Sequence, residues 1–170
     1  LLIHGNKRDR EKCFMELENF DVILTTYGTL RNDLEKYSEI KFDYCILDEA
    51  QNIKNPVALV TESVKSINAE NKFALTGTPM ENNLLELWSI FDFIMPGYLY
   101  SKAKFQELFI NKEDNVKNLK KLIKPFILRR SKKQVMKELP DKIEKNFFVE
   151  LNKEQKKIYS VRSEEHTSEL

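Results

Sequence analysis

Glycine and cysteine are scarce in this sequence, and each shortage excludes a class of site. With only four glycines, the chain nowhere contains the pattern G-x-x-x-x-G-K-[ST], whose backbone N–H groups cradle nucleotide phosphates. Its two cysteines, Cys13 and Cys45, lack the spacing of metal ligands, and we expect two buried free thiols in a reducing compartment. No apolar stretch has the length that crosses a bilayer, so no membrane is expected among the partners.

The beginning of the chain lacks an initiator methionine and the basic-then-apolar pattern of a signal peptide. Residues 1–4 are typical of the middle of a strand, so we expect this chain to be a piece of a longer protein. The hydrophobic content of 41% and the charged content of 32% are those of an ordinary soluble domain. A length of 170 residues is enough for one domain with a hydrophobic core.

The net charge of +1 hides an uneven distribution of charge along the chain. Residues 1–100 carry a net charge of −6, whereas residues 101–145 carry a net charge of +8. A basic segment of this kind faces a polyanion in some proteins and is only a solvated helical surface in others. The composition leaves both interpretations open.

The stretch with the strongest chemical signal is Y-C-I-L-D-E-A-Q, residues 44–51. Its apolar first half predicts a short strand buried on both faces, as in a parallel sheet covered by helices. Asp48 and Glu49 follow at the carboxyl end of this strand, where α/β sheets place their binding and catalytic side chains. A Mg²⁺ ion carried by a nucleotide phosphate would explain two acids there, with Asp48 holding the metal and Glu49 deprotonating the attacking water. The alternative is a pair of acids that cap the next helix or face solvent.

A second turn, T-G-T-P at residues 76–79, also follows an apolar run directly. Gly77 allows the backbone to turn sharply. Thr76 and Thr78 present hydroxyls that can bond a neighbouring acid or a phosphate-bound water. The alternative is a hydroxyl-rich turn with no partner.

The order of the remaining elements predicts a doubly wound α/β domain with right-handed crossovers. We expect strands at residues 1–4, 21–27, 44–48 and 72–76, and helices at residues 9–20, 28–34, 56–67 and 81–95. Asn55 is expected to cap the third of these helices, and Pro56 to occupy its first position. The last of them is expected to bury one apolar face.

Beyond residue 100 the pattern becomes helical and Lys-rich, which predicts a separate helical appendage. We expect helices at residues 101–110, 116–130 and 132–139, the second broken at Pro125, then a strand at residues 142–151. Asn152 and Gln155 resemble a capping box. No structure is expected after residue 160.

Four blocks of the sequence resemble the Swi/Snf-type DNA translocases, a branch of the superfamily-two helicase-like ATPases. In chain order they are I-L-T-T-Y at residues 23–27 (motif Ib), L-D-E-A-Q at residues 47–51 (motif II), the long block that begins L-T-G-T-P at residues 75–99 (motif III), and F-I-L-R-R-S-K-K-Q at the start of residues 126–144. The resemblance covers about residues 1–160. Gln51, together with Glu81 and Asn82, is more similar to the bacterial branch.

The resemblance implies an α/β fold made of a partial RecA-like P-loop NTPase lobe, with a parallel sheet and flanking helices, and a helical protrusion. It assigns residues 1–98 to the lobe, residues 99–141 to the protrusion, and residues 142–160 to a strand and helix leading toward a second lobe. Residues 163–170 do not resemble the family's continuation, and residues 161–170 are expected to be an unstructured tail. It also places the missing phosphate cradle before residue 1 and the second lobe after the chain.

The resemblance further implies a role for each matching residue. Asp48 would bind Mg²⁺ with ATP, and Glu49 would activate the attacking water. Coupling of nucleotide state to lobe closure would fall to Gln51, Thr76, Gly77 and Thr78, and contact with the DNA backbone to Thr25, Thr26 and Tyr27. Arg129 and Arg130 match a basic link near the lobe interface.

By this resemblance the parent protein hydrolyses ATP and moves along double-stranded DNA without separating the strands. DNA-bound proteins such as RNA polymerase are further expected partners, in the cytoplasm at the nucleoid of a bacterium or in the nucleus of a eukaryote. The chain alone is expected to be inactive, because it lacks the phosphate cradle. Two alternatives stay open: a strand-separating helicase, and a non-catalytic DNA- or protein-binding module on the same fold.

Overall fold

A computed structural model describes residues 1–78, 83–110 and 112–130, with residue 134 and the short pieces 145–147, 152–156 and 158. The chain divides into two compact units, Leu1–Ile127 and Leu128–Leu170. The helix expected at residues 132–139, the strand at residues 142–151 and the tail at residues 161–170 lie almost wholly outside the described residues. In the described part of the second unit, Asn152 and Gln155 exchange side-chain-to-backbone hydrogen bonds of 3.1 and 2.8 Å, as a capping box requires.

Four strands in the first unit form two parallel pairs. The first pair joins β1 (Leu2–Ile3) to β2 (Leu24–Thr25), and the second joins β3 (Phe42–Leu47) to β4 (Ala69–Ala74). In the second pair Leu47 lies opposite Ala74, so β3 and β4 end side by side. The segments that follow them therefore emerge at the same edge.

The first unit contains seven helices in the described part of the chain. They are α1 (Lys7–Met15), α2 (Tyr27–Asn32), α3 (Leu34–Ser38), α4 (Leu59–Lys65), α5 (Leu84–Ile94), α6 (Lys102–Phe109) and α7 (Glu113–Ile123). Short 3₁₀ turns follow at Leu17–Asn19, Ala50–Ile53 and Lys124–Phe126. No helix among the described residues is both long enough and apolar enough to cross a membrane.

The two longer strands are buried on one face only, so the predicted burial on both faces is wrong. Leu47 is buried, but Tyr44 and Ile46 are 61% and 62% exposed, and Phe73 on β4 is 52% exposed. Successive side chains of a strand point to opposite faces. The outer face therefore has no cover among the described residues. The strand expected at residues 21–27 is likewise reduced to β2, where Leu24 is 61% exposed.

The core consists of two apolar clusters with α5 between them. Ile90 and Phe93 pack into the first cluster with Leu47, Ile53 and residues of the N-terminal half. On another face of the helix, the second cluster takes up Leu87, Trp88 and Phe91 together with α6 and α7 residues. The prediction of one apolar face was therefore incomplete, because Ile90 and Phe93 bury a further face of the helix.

Most of the described helices begin after a residue whose side chain accepts a hydrogen bond from a backbone N–H of the first turn. Asn83 begins α5 by accepting hydrogen bonds from the backbone N–H groups of Leu85 and Glu86. Pro125 lies in the 3₁₀ turn that ends α7, as expected. The start predicted at Asn55 and Pro56 is wrong: α4 begins at Leu59, and the carbonyl of Asn55 instead accepts a 2.7 Å bond from the Thr61 hydroxyl.

The free thiols of Cys13 and Cys45 are half-buried rather than fully buried. Burial raises the pKa of the Cys45 thiol, because the thiolate would lose hydration beneath the sheet, and the nearby Lys72 offsets part of this effect. In α6 and α7 the lysines Lys104, Lys117 and Lys120 are exposed, whereas Lys102 is half-buried. Their exposure suits both interpretations of the basic segment.

Phe93 offers a direct test of this core. Its side chain is 0% exposed, and the Lys72 ammonium lies 5.1 Å from the centre of its ring. Phe93→Ala should lower the free energy of unfolding by about 3–5 kcal/mol, through lost burial and a residual cavity. Denaturant unfolding checks this value. Phe20→Ala, at a ring that is 43% exposed, should cost well under half as much; equal losses would contradict the assigned core.

Candidate functional site

The site begins where β3 ends, in a turn held by buried neighbours. After Leu47 the chain passes through Asp48 and Glu49 into the 3₁₀ turn Ala50–Ile53, whose first and last side chains are both 0% exposed. The N–H of Ala50 donates to the carbonyl of Leu75 at 2.8 Å, which ties this turn to the end of β4. The buried Ser89 hydroxyl of α5 donates to the carbonyl of Ile53 at 2.7 Å.

Glu49 adopts a left-handed backbone conformation, with φ 48° and ψ 51°. This conformation costs a non-glycine residue roughly 1–2 kcal/mol, so surrounding contacts must maintain it. The N–H of Glu49 donates to Oδ1 of Asp48 at 2.9 Å, and the side-chain amide of Asn52 donates to the carbonyl of Glu49 at 2.9 Å. The strained residue is one of the two acids singled out from the sequence.

A short path of hydrogen bonds connects Glu49 to the T-G-T turn after β4. The Gln51 amide nitrogen donates to Oε2 of Glu49 at 2.7 Å, and the Thr76 hydroxyl donates to the Gln51 amide oxygen at 2.8 Å. The backbone N–H of Thr78 then donates to the Thr76 hydroxyl oxygen at 3.1 Å. The two turns are thus joined through Gln51, although their sequences are 25 residues apart.

The acids suit the donor set that a nucleotide-bound Mg²⁺ ion requires. Asp48 and Glu49 are exposed, and among the described residues only the Glu49 N–H donates to the Asp48 carboxylate. A carboxylate oxygen is therefore available. In nucleotide sites Mg²⁺ takes one or two carboxylates and completes its octahedron with phosphate oxygens and water. Asp48 fits that role, and Glu49, held by Gln51, fits that of a proton acceptor beside it.

Tyr27, at the start of α2, reaches the acid turn from a third segment. Its hydroxyl donates to the backbone carbonyl of Asp48 at 2.7 Å. Burial, followed by the negative charges of Asp48 and Glu49, raises the pKa of Tyr27 to about 12, because both disfavour the phenolate. Tyr27 therefore keeps its proton at neutral pH and remains a hydrogen-bond donor. The sequence predicted DNA contact for this residue and did not predict this bond.

The hydroxyls of Thr25 and Thr26, the two residues before Tyr27, form hydrogen bonds with the protein backbone. The Thr25 hydroxyl donates to the carbonyl of Ile3 at 3.2 Å, and Thr26 caps α2 by accepting from the N–H of Thr29 at 3.1 Å. Thr26 remains exposed. Beside Gly77 an added Cβ would meet nothing within 4 Å, so the turn is open on that side. Arg129 and Arg130 are exposed in the second unit.

The contact between the two turns leads to a specific expectation for Thr76. Thr76→Val keeps the shape of the side chain but removes the hydroxyl, so the amide oxygen of Gln51 would lose its donor while the amide nitrogen keeps its bond to Glu49. In the full-length protein we expect any ATP turnover to fall about tenfold, because Glu49 would be held less firmly. Steady-state phosphate release measures this. Thr29→Val, at a half-buried threonine of α2, is the matched control; an equal loss there would contradict the assignment.

Comparison with known proteins identifies the family. The model of the SNF2-related domain matches residues 1–169. The chain belongs to the SNF2-related domain family. A protein of Mycoplasma genitalium named as an uncharacterized ATP-dependent helicase is 42% identical over 170 residues, which cover 98% of this chain. The TATA-binding protein-associated factor MOT1 of Saccharomyces cerevisiae is 40% identical over 161 residues and 85% of this chain.

A solved structure supports the same family. The SWI2/SNF2 ATPase core of Sulfolobus solfataricus in complex with double-stranded DNA matches with a TM-score of 0.72 and 40% identity over 97% of this chain. The fold is therefore the RecA-like ATPase fold expected from the motifs. This SNF2-related chain spans 16% of the length of the Mycoplasma protein, 9% of MOT1 and 36% of the Sulfolobus core.

The structure brings together most of the residues that the motifs singled out. Asp48, Glu49, Gln51 and Thr76 form one connected group at the ends of β3 and β4. Three further residues hold this group and were not predicted to do so: Asn52, Tyr27 and Ser89. Asn52 directly follows the motif II block L-D-E-A-Q, whereas nothing in the sequence linked Ser89 to the acids.

Proposed function

We propose that this chain is part of an ATP-dependent translocase that moves along double-stranded DNA. Membership of the SNF2-related family supports the ATPase assignment, and the Sulfolobus core, whose structure contains double-stranded DNA, supports the kind of nucleic acid. The observation that carries the proposal is the hydrogen-bonded path from Glu49 through Gln51 to Thr76. Such a path lets a change at the acid pair alter the second turn.

In the proposed reaction each residue of the group has one task. Asp48 holds Mg²⁺, directly or through water, with its available carboxylate oxygen. When bound, Mg²⁺ neutralises charge on the phosphates of ATP. Glu49 orients the attacking water and accepts its proton. Gln51 keeps the Glu49 carboxylate in place. The Thr76–Thr78 turn couples the state of the bound nucleotide to closure of the lobes on DNA.

DNA contact is proposed for Thr25 and Thr26, next to the half-buried Tyr27, and for the exposed lysines of α6 and α7. Backbone contacts suit movement along a duplex, because phosphates position a protein without reporting sequence. We expect the working location to be wherever the DNA lies, in the cytoplasm at the nucleoid or in the nucleus. DNA-bound proteins, RNA polymerase among them, are the proposed objects of translocation.

The 170-residue chain alone should not turn over ATP, because it has no phosphate-cradling loop. The exposed outer face of β3 and β4 should also make the isolated piece associate, since a contiguous apolar surface of this kind favours aggregation. Measurable turnover by the purified piece would contradict the first expectation. A monomer at high concentration in light scattering would contradict the second.

The experiment that tests the proposal is stimulation of ATP hydrolysis in the full-length protein. Duplex DNA is expected to raise the rate severalfold or more, whereas RNA of equal length should not. Stimulation by RNA or only by single strands would favour a strand-separating helicase. No hydrolysis under any of these conditions would favour a non-catalytic binding module.

A further inference from the structure

The peptide group between Asp48 and Glu49 is held at both of its polar atoms. Its carbonyl oxygen accepts the Tyr27 hydroxyl at 2.7 Å, and its N–H donates to the Asp48 carboxylate at 2.9 Å. Glu49, which follows it, has the unfavourable φ of 48°. Rotating this peptide plane by half a turn would carry that φ into the common negative region and would break both hydrogen bonds. The two bonds therefore oppose relaxation of Glu49.

The two bonds differ in whether metal binding at Asp48 can disturb them. The bond from the Glu49 N–H uses Oδ1 of Asp48, whose other oxygen is proposed to hold Mg²⁺, so any turn of the carboxylate on metal binding would disturb this bond. The bond from Tyr27 comes from another segment and uses no group of the reaction. Among the described residues, Tyr27 is the one side chain outside the turn that bonds this peptide.

The local structure fixes the Tyr27 hydroxyl where it is needed. Tyr27 is the first residue of α2, its ring packs against the first core cluster, and the preceding residue, Thr26, caps the helix. The side chain is half-buried. A donor fixed in this way holds its acceptor without the loss of side-chain freedom that a mobile residue would incur.

We infer that Tyr27 is a positioning residue for ATP hydrolysis: its hydroxyl holds the Asp48–Glu49 peptide in the orientation that directs the Glu49 carboxylate at the attacking water. The inference rests on the proposed ATPase function and adds a residue to its machinery. It also gives Tyr27 a task different from DNA contact, because the hydroxyl proton is directed into the protein rather than toward a phosphate.

The test is Tyr27→Phe in the full-length protein, with Tyr98→Phe as the matched control. Tyr98 makes the same kind of bond, hydroxyl to backbone carbonyl, with Leu122 at 3.1 Å, among residues of the second core cluster and its surroundings. Both variants keep the ring and lose one hydrogen bond of this type. Four quantities are measured for each: kcat, the affinity for ATP, the affinity for duplex DNA and the melting temperature.

For Tyr27→Phe we expect kcat to fall on the order of tenfold to a hundredfold, because a small misplacement of a reacting group lowers the rate by about that much. The affinities for ATP and DNA should stay within about twofold of the wild type. A larger change would be expected if the Tyr27 hydroxyl bonded either ligand, because a lost hydrogen bond to a ligand lowers affinity by more than that. Tyr98→Phe should leave all kinetic constants unchanged. That pattern supports positioning.

Three results would overturn the inference, and they are distinguishable. Unchanged kcat and unchanged DNA affinity in Tyr27→Phe, with an active wild type, reject the positioning role and leave the ATPase proposal intact. Equal losses of melting temperature and kcat in both variants assign only a structural role. A fall in DNA affinity at constant kcat assigns Tyr27 to the DNA surface. An inactive wild-type protein removes the proposed function itself.

Discussion

Replacing Glu49 with Gln should stop ATP hydrolysis by the full-length protein while ATP still binds. Glutamine keeps the size of the side chain and an acceptor oxygen for the Gln51 amide, so the turn should persist. It cannot accept the proton of the attacking water, and loss of a general base costs about 10²–10⁴ in rate. Phosphate release gives the rate, and binding of a fluorescent ATP analogue gives the affinity.

The control for this experiment is Glu70→Gln on β4, the same chemical change at an exposed residue. Glu70 pairs with Lys41 at 2.6 Å, and both side chains are more than half exposed, so loss of the pair should matter little. Turnover by Glu49→Gln within a factor of a few of the wild type would show that another group is the base.

Asp48→Asn should have the second large effect, on the metal requirement. An asparagine oxygen can still accept the N–H of Glu49, so the turn is preserved, but the negative charge that attracts Mg²⁺ is lost. We expect kcat to fall at least about a hundredfold, since charge neutralisation on the phosphates depends on a well-placed metal. The Mg²⁺ concentration for half-maximal rate should rise as well. A titration of Mg²⁺ at saturating ATP measures both quantities.

Asp43→Asn serves as the control for Asp48→Asn. Asp43 lies on β3, the strand that Asp48 follows, is exposed, and offers its backbone carbonyl to the side chain of Asn71, so the substitution removes a charge without touching that bond. Its Mg²⁺ titration should coincide with that of the wild type. If Asp48→Asn also retained the wild-type titration, the metal would be held elsewhere.

Local sequence patterns were sufficient to predict the elements that define the fold. Short apolar runs located β3 and β4, and spacings of three and four residues located α5 near its true bounds. Burial was harder to predict. A strand such as β3, with Tyr44 and Ile46 exposed, has the composition of a strand covered on both sides, and composition does not record whether the cover lies within the same stretch of chain.

Helix α5 illustrates the same difficulty from the opposite side. Its periodicity favoured one apolar face, but Phe93 and Ile90 pack on the first cluster while Leu87 and Phe91 pack on the second. A helix between two cores is apolar almost all round, and a periodicity argument then selects only the stronger stripe. The packing of α6 and α7 against α5 determines which residues of α5 form the second buried face. The division into residues 1–98 and 99–141 stays a prediction.

The candidate site was predictable in its members and only partly in its contacts. The residue types D-E-A-Q and T-G-T pointed to the right turns, and the family resemblance that they carry is confirmed. The bonds that join the turns link residues far apart in sequence, 25 residues for Thr76 to Gln51 and 21 for Tyr27 to Asp48. The first bond depends on how β3 and β4 align and the second on where α2 lies beside the end of β3, and no single segment encodes either arrangement. The roles of these residues in catalysis and DNA contact stay predictions.

The measurement that tests the central claim most directly is ATP-dependent displacement of a third DNA strand from a triplex by the full-length protein. A motor that follows the duplex expels the third strand without separating the other two. We predict displacement by the wild type in the presence of Mg²⁺ and ATP, and none by Glu49→Gln. Separation of the duplex itself, or displacement by Glu49→Gln at the wild-type rate, would contradict a translocase driven by hydrolysis at this acid pair.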